Sequence, residues 1–431
     1  MTTKNVHVRT WVRQQIIFIF IEKNMKNHFF QILLVLIVPM VASAQDKAHY
    51  KDRESGFYQD SILPAINDFN NSMEKAGETR YLTMDFDHVK APRELEDYNP
   101  AWHNAPLSQG ATGTCWCFAS ISFLESEIYR QTGRKVKLSE MYMVYWEYVA
   151  RAVYFVDHRG DMYFGQGSET NAVIRNMREH GLVPAGQYTG LKQGQRFYDH
   201  GGMEAEIKAY LDFAKANNIW DKKAVISNVR SILDQYMGTP PETVTVDGTE
   251  MSPLAYMSEV LKLQPDDYFS FMSTKSMAYN QKGELIEPDN WWHCDNYYNL
   301  TLEDFGDLLP LALDKGYTLS FCGDVSEPGY DRYAEIGIIP TFDIPEAYIN
   351  ADAREFRLVN GSTTDDHCMH IIGYTVKNGK RWYLLKDSSS SAFDGPHRGY
   401  RFIREDYVKL KVIALMTHKY AVPEILDRII K

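Results

Sequence analysis

The sequence predicts an α+β fold, helical in its first half and strand-rich in its last third. Three patterns carry that prediction. Cys117, Ile121, Leu124 and Ile128 fall at i, i+4, i+7 and i+11, the stripe of a buried helix face. Residues 203–236 alternate apolar and charged side chains at helical spacing, with Ile207, Tyr210, Leu211 and Ala214 in step. His370–Val376 and Arg381–Lys386 flank Lys377-Asn-Gly-Lys380, a β-hairpin pattern with an Asn-Gly turn.

Taken in order, residues 25–44 combine a basic start, an apolar run from Ile32 to Val41 and the triplet Ala42-Ser-Ala44. This is the layout of a secretory signal peptide cleaved after Ala44, with Met25 as an alternative start. The apolar run is short for a bilayer span, and no cysteine follows the cleavage point to carry a lipid. The expectation is a secreted or periplasmic protein with no stable membrane anchor after cleavage. An uncleaved anchor that also uses Ile16 to Ile21 is the alternative, and Glu22, Lys23 and Asn24 interrupt it. Residues 45–105 are polar and mixed and read as a lead segment. A lobe of helices is expected over 106–200, a mainly helical insertion over 201–310 and a strand-rich lobe over 311–431.

Ser139 is placed to cap a helix running to Val153, and Gly181 to end another that begins near Ala172. Asp247-Gly248 marks a hairpin turn. Tyr268–Met272, Thr318–Cys322, Gly399–Ile403 and Val412–Met416 read as strands, and Phe305–Leu313 as a helix.

A formal charge of −11 without any basic block argues against a nucleic-acid partner. The five cysteines are Cys115, Cys117, Cys294, Cys322 and Cys368. An odd number in an exported chain leaves at least one thiol free or paired between chains. No CxxC pair occurs, and no metal site is expected. Cys117, Cys294 and Cys322 read as small buried apolar residues.

The chemistry gathers around Gln109-Gly-Ala-Thr-Gly-Thr-Cys-Trp-Cys-Phe-Ala-Ser120. Gly113 and Thr114 turn the chain into the helix, which puts Cys115 on its first turn. There the free backbone N–H groups and the positive end of the helix dipole favour a thiolate. Gln109, six residues upstream, carries an amide that can donate beside the sulfur, where an oxyanion would form. A thiol nucleophile needs a base, and the base needs an orienting partner. Asp366-His367 opens one strand of the late hairpin and Asp387 closes the other. Pairing counted back without interruption from Asn378-Gly379 sets Asp387 opposite His370, which makes His370 a rival base or else a packed strand residue. A bulge would return Asp387 to His367.

Gln109-Gly, Gly113-Thr-Cys-Trp-x-Phe-x-Ser120, Leu138-Ser-Glu140, Asp366-His367 followed after five residues by Gly373-Tyr374, and Lys386-Asp387-Ser388 together resemble the motifs of the papain-like cysteine peptidases. Gly181-Leu-Val-Pro184, Gly323-Asp-Val-Ser326 and the insertion resemble the bleomycin hydrolase and aminopeptidase C branch of that family. The resemblance implies a two-lobed fold with a helical left lobe and a β-barrel-like right lobe. It implies a peptide or protein substrate, attack by Cys115, His367 as base, Asp387 as its orienting acid and Gln109 at the oxyanion. Gly167 and Trp116 are its candidate substrate contacts, although Trp116 also suits packing between the lobes. The chemistry needs no cofactor. Members of the branch place their own C-terminus in the cleft, which restricts them to aminopeptidase cleavage, and they form homo-oligomers. Three departures stand out: Asp387 replaces the family's asparagine, Ser389 replaces a shielding tryptophan, and Thr112 stands where many secreted members have a disulfide cysteine. Two other functions stay open at this point, a non-catalytic peptide-binding protein, suggested by Ser388–Ser391, and an endopeptidase with an open cleft.

Overall fold

A computed structural model describes residues 46–70 and 80–429. The signal peptide, the Ala44 cleavage point and the alternative start at Met25 lie outside the described residues. Among those described, no helix is long and apolar enough to cross a membrane.

The lead segment is structured. Strand β1 (Ala48–Asp52) pairs antiparallel with β2 (Arg80–Met84), and α1 (Leu63–Asn70) lies between them in sequence. Backbone bonds tie the segment to the later chain: the Met84 N–H donates to the Pro328 carbonyl and the Ala101 N–H to the Ile372 carbonyl, both at 2.8 Å.

Helix α2 (Cys115–Thr132) begins two residues ahead of its apolar stripe and stops at Gly133, whose φ of 70° only glycine adopts easily. In α3 (Glu140–Asp157) the expected cap forms, with Ser139 Oγ accepting the Tyr142 N–H at 3.1 Å. Helix α4 (Asn171–His180) ends at Gly181. Ile121 and Leu124 of α2, Met141 and Tyr145 of α3, and Ile174 and Met177 of α4 merge into one apolar core.

The two helices expected over 203–236 are α5 (Gly201–Ala216) and α6 (Lys222–Met237); Val225, Val229, Leu233 and Met237 of α6, four residues apart, join that core. The rest of 201–310 is not mainly helical. Strands β3 (Val244–Val246) and β4 (Thr249–Met251) close the Asp247-Gly248 turn. After a short α7 (Pro253–Ala255), β5 (Tyr268–Met272), β6 (Gln281–Gly283) and β7 (Tyr297–Asn299) join the main sheet. Three-residue strands carry too little periodicity to be read without their partners.

The remaining elements are α8 (Leu302–Asp314), β8 (Leu319–Gly323), β9 (Tyr330–Asp331), β10 (Ile336–Gly337), α9 (Ala351–Asn360), β11 (His367–Lys377), β12 (Lys380–Lys386), β13 (Tyr400–Arg404), α10 (Glu405–Lys411), β14 (Val412–His418) and α11 (Pro423–Ile429). Ten strands form one sheet in the order β6-β7-β5-β14-β8-β11-β12-β13-β10-β9. Its pairing is an open ladder with β6 and β9 at the edges, so barrel closure is not among the pairings of the described strands. Alternation along the central strands β8, β11 and β14 sends neighbouring side chains to opposite faces and so to different cores. Cys322, Cys368 and Met416 join the α2 core, whereas Phe321, Met369 and Leu415 join a second core with Phe305 and Leu308 of α8 and Ile425 and Leu426 of α11. The C-terminal helix thus packs on the sheet face turned away from α2, where Arg428–Asp304 and Lys315–Glu424 pair at 2.6 Å each.

Cys322 and Cys368 lie opposite one another on β8 and β11 and form a disulfide. This corrects the expectation that Cys322 is a plain buried residue, because strand register brings its sulfur to a partner that sequence spacing does not indicate. The loop it closes spans 46 residues. Replacing both cysteines with serine is expected to lower stability by roughly 2–4 kcal/mol in chemical denaturation; an unchanged midpoint would count against a stabilising bridge.

Candidate active site

The site forms where the start of α2 meets the start of β11. Cys115 is the first residue of α2 and is partly exposed, whereas Cys117 is fully buried with its Sγ directed at the Glu140 carbonyl, 3.2 Å away. Burial pushes the Cys117 thiol well above its usual value, which leaves Cys115 as the accessible sulfur of the pair.

His367 opens β11, and its Nε2 lies 2.7 Å from Asp387 Oδ1. A bulge brings the two together. From Lys377 opposite Lys380 the hairpin pairs regularly back to Gly373 opposite Leu384, then shifts by one residue so that Ile371 faces Leu385 and His370 faces Lys386. Ile372 is the extra residue. Uninterrupted pairing would set Asp387 across from His370, whereas the shift moves Asp387 to the face shared by Met369 and His367. His370 instead reaches Ser122 of α2, Nδ1 to Oγ at 2.8 Å, and is fully buried. Burial, with Lys386 and His103 adding to it, holds its pKa well below the usual histidine value. His370 is therefore packed against α2, while His367 is the histidine that meets Asp387.

Burial alone would also lower the pKa of His367. The Asp387 carboxylate and the facing Cys115 thiol outweigh it and raise the value well above normal. With Nε2 on Asp387, Nδ1 is the ring nitrogen left for the thiol. Asp387 is itself buried, which works against its charge. His367, the Arg401 guanidinium and the Ser389 N–H overcome that and hold its carboxyl well below the usual carboxylate range. Arg401 Nε donates to Asp387 Oδ2 at 3.1 Å, and both side chains are fully buried. The Ser389 N–H and O–H donate to the two carboxylate oxygens at 2.8 and 2.9 Å.

Gln109 is clamped at both ends of its amide. Ser388 Oγ donates to Oε1 at 2.8 Å, and Nε2 donates to the Thr112 carbonyl at 2.7 Å. One amide N–H remains for a ligand beside Cys115. Ser390 Oγ donates to the Gly110 carbonyl at 2.8 Å, so Ser388 to Ser390 bind the glutamine loop and the Asp387 carboxylate together.

Trp116 and Gly167 both sit against neighbouring segments of the chain. Trp116 is fully buried and its indole N–H donates to the Gln166 carbonyl at 3.1 Å, which makes it a packing residue holding the Gln166-Gly167 segment. Gly167 is already engaged: Arg151 donates to its carbonyl, and a β-carbon there would collide with the Asp289 carboxylate. Beside His367 lies a cavity of about 590 Å³, lined in part by Arg53, Tyr81, Ser326, Asp366 and Ser389. Among the described residues one group has the spacing of metal ligands, Cys322, Asp365 and Cys368, and the disulfide occupies two of the three.

The arrangement missed in the sequence is the Arg401–Asp387 pair. Its signal was a lone arginine inside the apolar strand run Tyr400-Arg-Phe-Ile403. A charge at such a position is stable only with a partner.

No protein-family model matches the chain. Among solved structures, PepW from Lactobacillus rhamnosis HN001 superposes with a TM-score of 0.61 over 77% of this chain and 83% of that one, at 18% identity. A structure concerned with the mite allergens Blo t 1 and Der p 1 overlaps 77% of this chain and 73% of its own at a TM-score of 0.36 and 13% identity, too loose to bear on the fold. The likeness to PepW is one of fold, and it agrees with the papain-like arrangement expected from the motifs.

Proposed function

We propose that this chain is a cysteine peptidase that cleaves at the amino terminus of its substrates. The observation that carries the proposal is Cys115 at a helix start, facing a histidine fixed by a buried carboxylate. The Cys115 thiolate adds to the peptide carbonyl while Gln109 and the Cys115 backbone N–H receive the oxyanion. His367 gives its proton to the departing amine as the C–N bond breaks, leaving a thioester. Water then attacks the thioester with His367 taking its proton, and the acid product and free thiol are restored. Asp387 keeps the ring oriented and stabilises its protonated form.

Asp289 against Gly167 supports the amino-terminal part of the proposal over an open-cleft endopeptidase, because it leaves little room for chain on the acyl side. The described chain through Ile429 packs on the far face of the sheet, so the restriction is assigned to the 287–289 loop. The disulfide supports the exported location, since such bridges persist in oxidising compartments. The bonds made by Ser388 and Ser389 favour catalysis over a binding-only protein.

The test is a comparison of two histidines with a free-amino aminoacyl-coumarylamide. His367→Ala should lower kcat/KM by roughly 10³-fold or more. His370→Ala should stay within a few-fold of the parent while costing about 1–3 kcal/mol of stability, because Ser122 loses its buried partner. The reverse ranking would remove His367 from the mechanism.

A further inference from the structure

We propose that the cavity beside His367 receives the leaving group, and that Arg53 and Arg332 in its wall hold a carboxylate of the departing residue; the assignment rests on the peptidase reading above. The substrate class is a short peptide whose second residue carries that carboxylate, either as the free end of a dipeptide or as an acidic side chain. The cavity, about 590 Å³, has the size of a small-ligand site. His367, Asp366 and Ser389 line it, whereas Cys115 and Gln109 do not. It therefore opens onto the histidine, the group that hands its proton to the departing amine. In a dipeptide the terminal carboxyl carbon lies two covalent bonds from that amine, so its receptor must adjoin His367.

The lead segment supplies one wall, through Arg53 and Tyr81. Both are held in place. Arg53 directly follows β1, whose last residue Asp52 pairs with Arg80 of β2 at 2.7 Å. Four residues beyond Arg53, the Phe57 N–H donates to the Asp394 carboxylate and the Phe57 ring packs on Phe393, 5.3 Å between centroids. Tyr81 lies on β2, which ends where the Met84 N–H donates to the carbonyl of Pro328, itself a cavity residue. The segment ahead of the helical lobe is thus built into the site.

The donors of this wall are the groups left unspent. Arg53 is exposed, lies over the Tyr81 ring at 5.9 Å from its centroid and forms no ion pair among the described residues. Arg332 sets one guanidinium nitrogen, Nη1, 3.4 Å from Asp394 Oδ2, and its Nη2 has no hydrogen-bond partner. The Tyr81 hydroxyl has none either. Arg332 and Arg53 both act on that hydroxyl, with Asp331 and Glu54 opposing them, so the three donors converge. Three carboxylates also line the cavity, and each already has donors of its own. Glu327 pairs with Lys411, Asp366 accepts the Val325 N–H at 2.8 Å, and Asp331 accepts the Tyr333 and Ala334 N–H groups at 2.9 and 2.7 Å. A guanidinium is planar and permanently charged, and it meets a carboxylate through two parallel hydrogen bonds.

The test is calorimetric binding to the full chain carrying Cys115→Ala, which cannot turn the ligands over. Four ligands share a free amino terminus and differ in the second residue. Alanyl-alanine carries a terminal carboxylate, alanyl-glutamate α-amide a side-chain carboxylate, alanyl-alaninamide no charge and alanyl-lysinamide a positive one. Binding of a carboxylate ligand at least ~10-fold tighter than alanyl-alaninamide, with that margin cut at least ~3-fold by adding Arg53→Gln, supports the site, and the ligand that shows it names the source. Arg53 is exposed, so its replacement leaves the core untouched; Arg332→Gln repeats the measurement from the inner wall. Equal affinity for all four ligands overturns the proposal, as does tightest binding of alanyl-lysinamide or a margin that survives both variants. Hydrolysis by the parent chain is scored separately: a carboxylate preference without hydrolysis keeps the site and removes the peptidase, and hydrolysis without a preference does the reverse.

Discussion

Cys115→Ala is expected to abolish peptide hydrolysis, lowering kcat by about 10⁴-fold or more, with folding unchanged. Removing the nucleophile from a group that acts as a unit leaves only binding and oxyanion contributions. The side chain is partly exposed at the first turn of α2, so its loss opens no buried cavity. The same residue should be the first alkylated by iodoacetamide. Cys117 is buried, Cys322 and Cys368 are joined, and burial raises the Cys294 thiol. Cys115 is partly exposed and has His367 facing it, so its labelling should outpace that of the other thiols. Peptide mapping after brief alkylation reads this directly. Equal labelling of Cys115 and Cys294 would sink the assignment of a nucleophile.

The second large effect concerns the buried charge pair behind the histidine. Asp387→Asn alone is expected to cost about 3–5 kcal/mol, because it leaves the Arg401 guanidinium buried without its counter-charge. The hydrogen bond to His367 would survive in form, since the amide oxygen of asparagine accepts an N–H as a carboxylate oxygen does. The double variant Asp387→Asn with Arg401→Met should recover most of the stability. A double-mutant cycle by urea denaturation measures the coupling, and additive costs would show that the pair acts as two independent residues. The pH dependence has a definite sign. The pKa of Asp387 is lowered on folding, so its contribution is present above the ordinary carboxylate value and is lost as pH falls through the lowered one. That of His367 is raised, so its contribution is present below about pH 6.5 and is lost as pH rises through the raised value. The pairing is therefore fully expressed between about pH 4 and about pH 6.5.

Much of the site was legible in the sequence because its parts are local. A glycine turn, a helix stripe and a cysteine at their junction define the start of α2 without any tertiary information. The same holds for Ser139 as a cap and Asn378-Gly379 as a turn. What was not legible depends on register or on distant partners. Ile372 looks like any strand residue, and only pairing makes it a bulge. Cys322 and Cys368 become a disulfide only once β8 and β11 lie side by side. Arg401 has no local reason to be charged until Asp387 is brought to it across the sheet. Between Met237 and α8, β5 and the turn joining β3 to β4 were legible, whereas β6 and β7, three residues each, are too short for periodicity to show. At Gly167 the missing side chain announced a close approach, but not that the Asp289 carboxylate, more than a hundred residues further on, is what approaches.

The extra residue at 372 divides the hairpin into two parts with different tolerance for change in length. Outward from it, toward Asn378-Gly379, added or lost residues move only a solvent-facing tip. Inward, the distance along the strand to His367 behaves like a reading frame: losing one residue would hand the carboxylate from one histidine to the other while the strands stayed paired. Variation among related chains should therefore accumulate at the tip and stop at Gly373. A relative lacking the extra residue would keep the same architecture with its acid facing a histidine that cannot reach the thiol.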